Sequence, residues 1–168
     1  MMRHLRFATL CVPLVLAAAS ALHGQASVVE RREILVAAIR SVMADVHYDT
    51  LATTCVSMAP ANRRAEPYRT MLAALRMRHR GPVVPPSRCP PTYETGERVM
   101  NPPPGPRPRG AIDPYILSIR GLTMLGARQA RVEIREDRSS ATTAHECIAT
   151  REVDRWIATC RVISMAIA

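Results

Sequence analysis

The chain has 168 residues and a formal net charge of +9 at pH 7, and this length suits one domain with a hydrophobic core. All 23 basic residues are arginine, but they are spread along the sequence, and aromatic residues make up only 4% of it. Nucleic-acid-binding modules concentrate their basic charge and add aromatic side chains on which bases stack. We therefore expect no nucleic-acid partner.

The first 26 residues are typical of a secretory signal peptide. Two arginines within the first six residues precede an apolar run at 7–16, and small residues then allow cleavage after Ala21 or Ala26. A permanent membrane anchor needs about 20 apolar residues, and this run is shorter and contains Pro13. An uncleaved anchor is the alternative. We predict a signal peptide at 1–26, a secreted or periplasmic protein, and no transmembrane segment after cleavage.

The cysteines that follow the leader indicate two disulfides. They are even in number and fit an oxidising compartment, and four cysteines allow three pairings. A hairpin centred between Val153 and Asp154 sets two of them directly opposite each other, close enough for a bridge. From loop-closure entropy, we expect the two bridges to stabilise the fold by about 3 and about 4 kcal/mol. The predicted pairs are Cys147 with Cys160 and Cys55 with Cys89.

The first half of the mature chain predicts two helices and one strand. Ser27 and Glu30 have the spacing of a capping box, in which each side chain satisfies a free amide at a helix start. Apolar residues then recur at helical spacing to about residue 46. Residues 51–58 are rich in Thr and Val and indicate a strand. A second helix is expected to begin at Pro67 and to be capped by Gly81.

The second half predicts a proline-rich loop followed by an antiparallel meander. Residues 82–110 contain ten prolines, which lack an amide donor and disfavour both helix and central strand. The predicted strands are 115–120, 130–135, 143–151 and 155–165, with a connection at 121–126 and a turn at 136–140. In the last strand, one face is expected to pack on the helices through Trp156, Ala158, Cys160 and Val162.

Several short segments carry a resemblance to known proteins: the helix 31–46 and the motifs at 54–56, 85–89, 131–133 and 155–157. With the leader, they resemble a group of small secreted bacterial proteins with no established activity. The plan is also similar to the helix-on-curved-sheet folds of the nuclear transport factor 2-like group, which includes enzymes, ligand binders and structural modules. We therefore expect one α+β domain at 27–168. It would consist of two helices on a curved antiparallel sheet of four to five strands, with a Pro-rich loop and two disulfides.

A basic helix face is the first candidate site. Six arginines surround the second predicted helix and would form an anion-binding surface, although a solvated helix face produces the same pattern. They are Arg63, Arg64, Arg69, Arg76, Arg78 and Arg80.

Three further groups bear on catalysis or metal binding. His145 and Cys147 lie two residues apart on a strand, as in half of a Cys–His nucleophile, but a bridged cysteine beside an ordinary histidine is preferred. Glu133 and Glu146 lie on neighbouring strands and would form an acid pair if the register opposes them. Alternate side chains of an extended loop would converge on a metal, although a polar loop gives the same pattern. That run consists of Asp45, His47 and Asp49.

No chemical motif rises above these alternatives, so we predict no catalytic residues, no metal and no cofactor. The preferred function is a non-enzymatic module that binds a ligand or a partner, either a protein or an envelope component. The alternative is a small-molecule enzyme with a pocket between helix and sheet, which would bury titratable groups in an apolar pocket. A third hypothesis is binding of anionic envelope polymers through the basic helix face.

Overall fold

The computed structural model describes residues 26–44, 52–58, 69–77, 79, 81–90, 112–138 and 141–167. These residues form two α-helices, a single 3-10 turn and six strands of one sheet. In chain order they are α1 Val28–Met43, β1 Thr54–Ser57, α2 Arg69–Arg76, β2 Val83–Val84, the 3-10 turn Pro86–Arg88, β3 Tyr115–Gly126, β4 Gln129–Arg138, β5 Ala141–Glu152 and β6 Arg155–Ile167.

The sheet confirms the α+β class but differs from the prediction in size and direction. Its strand order is β2-β1-β3-β4-β5-β6, so six strands replace the expected four to five. β1 runs parallel to both β2 and β3, whereas β3 to β6 form an antiparallel meander. The sheet is therefore mixed. β1 and β2 run parallel because the connection between them contains α2, and a crossover that contains a helix returns the chain in the same direction.

β3 is longer than predicted, because the segment Gly121–Gly126 is its second half and not a connection. Its pairing with β4 shifts register twice, between Ile119 and Gly121 and between Met124 and Gly126. Each shift is a β-bulge that accommodates an extra residue, and a glycine within a strand often marks such a site. The glycines therefore interrupt the ladder without ending it.

The β5–β6 hairpin has the predicted register. Cys147 pairs with Cys160, Ala149 with Ala158 and Arg151 with Trp156, and the turn lies at Val153 and Asp154. The Cys147–Cys160 disulfide joins Cα atoms 3.9 Å apart, and the Cys55–Cys89 disulfide joins Cα atoms 5.6 Å apart. Both predicted pairings are thus confirmed.

α1 supplies much of the core that covers one face of the sheet. Its buried residues include Ile34, Ile39 and Val42, which pack with residues of β4, β5 and β6. The Ser27 hydroxyl accepts a hydrogen bond from the Glu30 amide at 3.1 Å, as predicted. The Glu30 carboxylate instead lies 3.6 Å from the Arg151 guanidinium, which ties the start of α1 to the end of β5. The helix ends at Met43, three residues before the predicted end.

α2 and the segment after it differ from the prediction in two respects. The helix ends at Arg76, five residues before the proposed cap at Gly81. Pro86 begins a single 3-10 turn, because proline fits the first helical position. Val83–Val84 forms a short strand at the edge of the sheet. An edge strand tolerates neighbouring prolines, because one side of it needs no ladder hydrogen bonds. Residues 91–110 of the predicted Pro-rich loop, like Pro67, lie outside the described residues.

The side chains at the end of β6, from Arg161 to Ile167, are exposed. Ala158 and Cys160 pack against the core as expected, but Val162 is 50% exposed. A register shift beside Val162 inserts Ile163 as an extra residue. Beyond this point Ile163, Met165 and Ile167 are also exposed. The predicted buried face of β6 therefore ends at Cys160.

Candidate functional site

A pocket of about 510 Å³ lies where α1, α2 and the β5–β6 turn meet. Two turns of α1 line one wall at spacings of three and four residues, and α2 presents residues of the same spacing from the opposite side. The volume is in the range of small-molecule pockets, about 300–1,000 Å³. The lining residues are Arg32, Glu33, Val36, Ala37 and Arg40 of α1, Thr70, Ala73, Ala74 and Met77 from α2 and its end, and Asp154, Arg155 and Trp156 of the hairpin. We call this cavity the helix-pair pocket.

Two arginine contacts position the walls of the helix-pair pocket. Arg40 of α1 donates a hydrogen bond from Nη2 to the Ala74 carbonyl of α2 at 2.6 Å. Arg76 of α2 donates from Nε to the Val83 carbonyl of β2 at 2.8 Å. Hydrogen bonds from a charged donor are stronger than neutral ones. α2 is therefore held to both α1 and the sheet, and the space between the helices is a fixed feature of the fold.

Trp156 is the aromatic residue that lines the pocket, and its indole nitrogen is a hydrogen-bond donor that is unpaired within the described residues. It is only 7% exposed, and its indole nitrogen is buried without a hydrogen-bond partner in the part of the chain that the structure describes. A buried polar group without a partner costs about 1–3 kcal/mol, and most such groups in native proteins are satisfied. The nitrogen itself has almost no exposed surface, so Trp156 contributes to the lining of the pocket through its other atoms.

Charged side chains surround the pocket, and they are only loosely paired. Arg32 lies 3.8 Å from Glu33, its neighbour on α1. Asp154 and Arg155 are exposed at the hairpin turn, and neither makes an ion pair with another described residue. The helix-pair pocket therefore offers guanidinium groups that a ligand can reach.

The predicted basic helix face is described only in part. Arg69 and Arg76 lie on α2 seven residues apart, and both are exposed. Arg76 uses its Nε to hold β2, and neither residue lines the helix-pair pocket. The other four, Arg63, Arg64, Arg78 and Arg80, lie outside the described residues.

The groups considered for catalysis, for which a structural interpretation was preferred, have specific positions. Cys147 is in a disulfide, so it is not a nucleophile, and the structural interpretation of this cysteine is confirmed. Its neighbour His145 is 6% exposed and lies 2.9 Å, Nε2 to Oε2, from Glu136. Sequence reasoning did not identify Glu136, because its partner depends on the β4–β5 register.

Glu133 does lie directly opposite Glu146 in the register between β4 and β5. The Glu146 carboxylate accepts two hydrogen bonds from Arg161, at 2.6 and 3.0 Å. Arg161 is therefore the charged partner of the Glu146 carboxylate, and the opposed register alone does not make the two acids a catalytic pair.

The candidate metal ligands are not among the residues that the structure describes. Asp45, His47 and Asp49 lie outside them, and within them no group of three or more His, Cys, Asp or Glu side chains could hold a metal ion. Among the groups described, burial lowers the pKa of His79 below its usual value. His79 does not line the helix-pair pocket.

The chain matches no protein-family model, and it has no significant match among curated proteins or among solved structures. No helix in the described ranges has both the length and the apolar character needed to cross a bilayer. Two disulfides are typical of proteins from oxidising compartments. The function is therefore inferred from the geometry of the site.

Sequence reasoning missed the helix-pair pocket, although two signals pointed towards it. Arg32, Val36 and Arg40 recur at intervals of four on α1, which places an apolar residue between two arginines on one helix face. Trp156 is the single tryptophan of the chain. Neither signal reveals that α2 stands opposite, because that contact depends on tertiary packing.

Proposed function

We propose that the protein is a secreted or periplasmic module that binds a small organic ligand in the helix-pair pocket and does not transform it. In this proposal residues 1–26 are removed as a signal peptide, and 27–168 form a single domain. The observation that carries the proposal is the pocket itself, a cavity of about 510 Å³ between α1, α2 and the β5–β6 turn that is lined by apolar, charged and aromatic side chains.

The lining chemistry supports binding of an organic molecule. Val36, Ala37, Ala74 and Met77 give apolar walls, and the small alanines leave space between the helices. Ligand pockets commonly combine such walls with a few polar groups that fix orientation. The surrounding arginines provide those groups here.

The experiment uses Trp156 as its own reporter, because it is the only tryptophan in the chain. Purified protein with both disulfides intact is titrated with a panel of neutral, anionic and cationic alkyl and aromatic compounds. We expect saturable quenching of Trp156 fluorescence by at least one class. Ala73→Phe, at an exposed pocket position on α2, should weaken that binding at least about tenfold by filling the cavity.

The matched control is Ala166→Phe, which adds the same ring at an exposed position of β6 away from the pocket. It should bind like the parent protein. Unchanged binding in Ala73→Phe, or no saturable quenching by any compound, would contradict the proposal.

The second candidate is a small-molecule enzyme, and the observation in its favour is the contact between His145 and Glu136. A histidine hydrogen-bonded to a carboxylate can act as a general base while the acid orients its ring. The compound that binds best is incubated with the parent protein and with His145→Gln. A new product in the parent alone, detected by mass spectrometry, would favour the enzyme.

A further inference from the structure

The electrostatics of the helix-pair pocket indicate which class of ligand it takes. Three arginines and two carboxylates line it: Arg32, Arg40 and Arg155, with Glu33 and Asp154. Their formal sum is one positive charge. A monoanion balances this charge, whereas a dianion such as a phosphate monoester would also meet the two carboxylates. Like charges at close range cost free energy.

The three arginines of the pocket differ in the contacts that they already make. Arg40 already donates to the Ala74 carbonyl and holds the helices together. Arg32 has only a long contact of 3.8 Å with Glu33, and Arg155 makes no ion pair with another described residue. Guanidinium groups match carboxylates in shape and can bind them through two parallel hydrogen bonds. Arg32 and Arg155 are therefore the anion-binding side chains.

The remaining surface requires an apolar ligand body. Arg32 and Arg40 lie eight residues apart on α1, which corresponds to about 12 Å along the helix axis. Val36 and Ala37 occupy the intervening turn, and Ala73, Ala74 and Met77 face them from α2. Methionine adapts its shape to irregular apolar partners. A hydrocarbon chain or a flat ring fits this interval.

We propose that the ligand of the helix-pair pocket is an amphipathic organic monocarboxylate. Its apolar body lies between α1 and α2, and its carboxylate contacts Arg32 and Arg155. This inference rests on the proposed function, since it specifies the ligand of the same pocket.

The test compares three probes with the same ten-carbon chain: decanoate, 1-decanol and decylamine. Affinities are measured by calorimetry, with Trp156 fluorescence as a second readout. We expect decanoate to bind at least about tenfold more tightly than 1-decanol, and decylamine to bind least. Arg155→Gln and Arg32→Gln should each weaken decanoate about tenfold and leave 1-decanol unchanged.

Arg120→Gln is the matched control, because Arg120 is an exposed arginine of β3 outside the pocket. It should not change the affinity for decanoate. Equal binding of decanoate and 1-decanol, or preference for decylamine, would overturn the ligand class while the pocket remained a binding site. If no probe binds and Ala73→Phe changes nothing, the proposed function itself fails.

Discussion

The Cys160 Sγ atom lies 3.5 Å from the backbone carbonyl oxygen of Ala38, so the β5–β6 disulfide is in direct contact with α1. The sulfur is bonded to Cys147 and carries no proton, and the contact is therefore packing and not a hydrogen bond. The bridge thus joins two strands and also forms part of the surface on which the helix rests.

Removal of this bridge should destabilise the fold. We expect Cys147→Ala with Cys160→Ala to lower the free energy of unfolding by about 2–4 kcal/mol, because the unfolded chain gains freedom and the surface under Ala38 loses two sulfur atoms. Urea unfolding of the double variant and the parent measures the difference. The parent in reductant, in which both disulfides are open, is the control. If the double variant unfolded at the same urea concentration as the oxidised parent, the expectation would be contradicted.

The β5–β6 turn contains a correctable strain. Val153 has a φ of 46° and is 83% exposed, and a β-branched residue is disfavoured in this left-handed region. Asparagine tolerates it and is common in two-residue hairpin turns. Val153→Asn should therefore raise the free energy of unfolding by about 0.5–1.5 kcal/mol.

The control for the turn is Val153→Thr, which keeps the β-branched shape, replaces the exposed apolar group with a polar one and should give no gain. Thermal unfolding of both variants separates backbone relief from loss of an exposed apolar group. A lower melting temperature in Val153→Asn would show that the turn does not hold Val153 in this conformation.

The contact between His145 and Glu136 should contribute to stability whether or not it takes part in chemistry. Both side chains are largely buried, at 7% and 17% exposed, so removal of one leaves the other without its partner. We expect Glu136→Leu or His145→Leu alone to cost about 1–3 kcal/mol. The double variant should cost less than the sum of the two, as a double-mutant cycle in urea would show. Strictly additive costs would contradict the coupling.

Acidification should destabilise the protein partly through His79. Burial lowers the pKa of this histidine in the folded chain, whereas in the unfolded chain it remains near 6.5. The stability contributed by neutral His79 is therefore complete above pH 6.5. It is lost as the pH falls through 6.5 towards the folded pKa, because only the unfolded chain takes up the proton readily.

Melting temperatures at pH 7.5 and pH 5.0 test this assignment. The decrease between the two should be smaller in His79→Gln than in the parent. His145→Gln is measured alongside as a second histidine variant. An identical decrease in the parent and in His79→Gln would exclude a contribution from this side chain.

The hairpin could be predicted from sequence because its information is local. Cys147 and Cys160 are equidistant from a short polar turn, and that symmetry fixes the register once two strands are recognised. The Ser27 cap is equally local, since donor and acceptor are three residues apart.

The parallel part of the sheet and the helix-pair pocket could not be predicted in this way. All four residues of β1 are buried, so it lacks the alternation that reveals a strand's orientation and neighbours. Arg40 belongs to the polar face of α1 by its spacing, and its bond to the Ala74 carbonyl depends on where α2 packs. Such contacts join residues far apart in sequence, and no short-range pattern records them.

The position of β1 also determines the order in which the chain assembles. β3 to β6 are consecutive hairpins whose pairings span short separations, whereas Thr54 of β1 must find Tyr115 of β3. Closure of a longer loop costs more entropy before its contacts are made, and such pairings form slowly. We therefore expect the C-terminal meander to collapse first and to present the edge of β3 as a template. In oxidative refolding, Cys147–Cys160 should then form ahead of Cys55–Cys89.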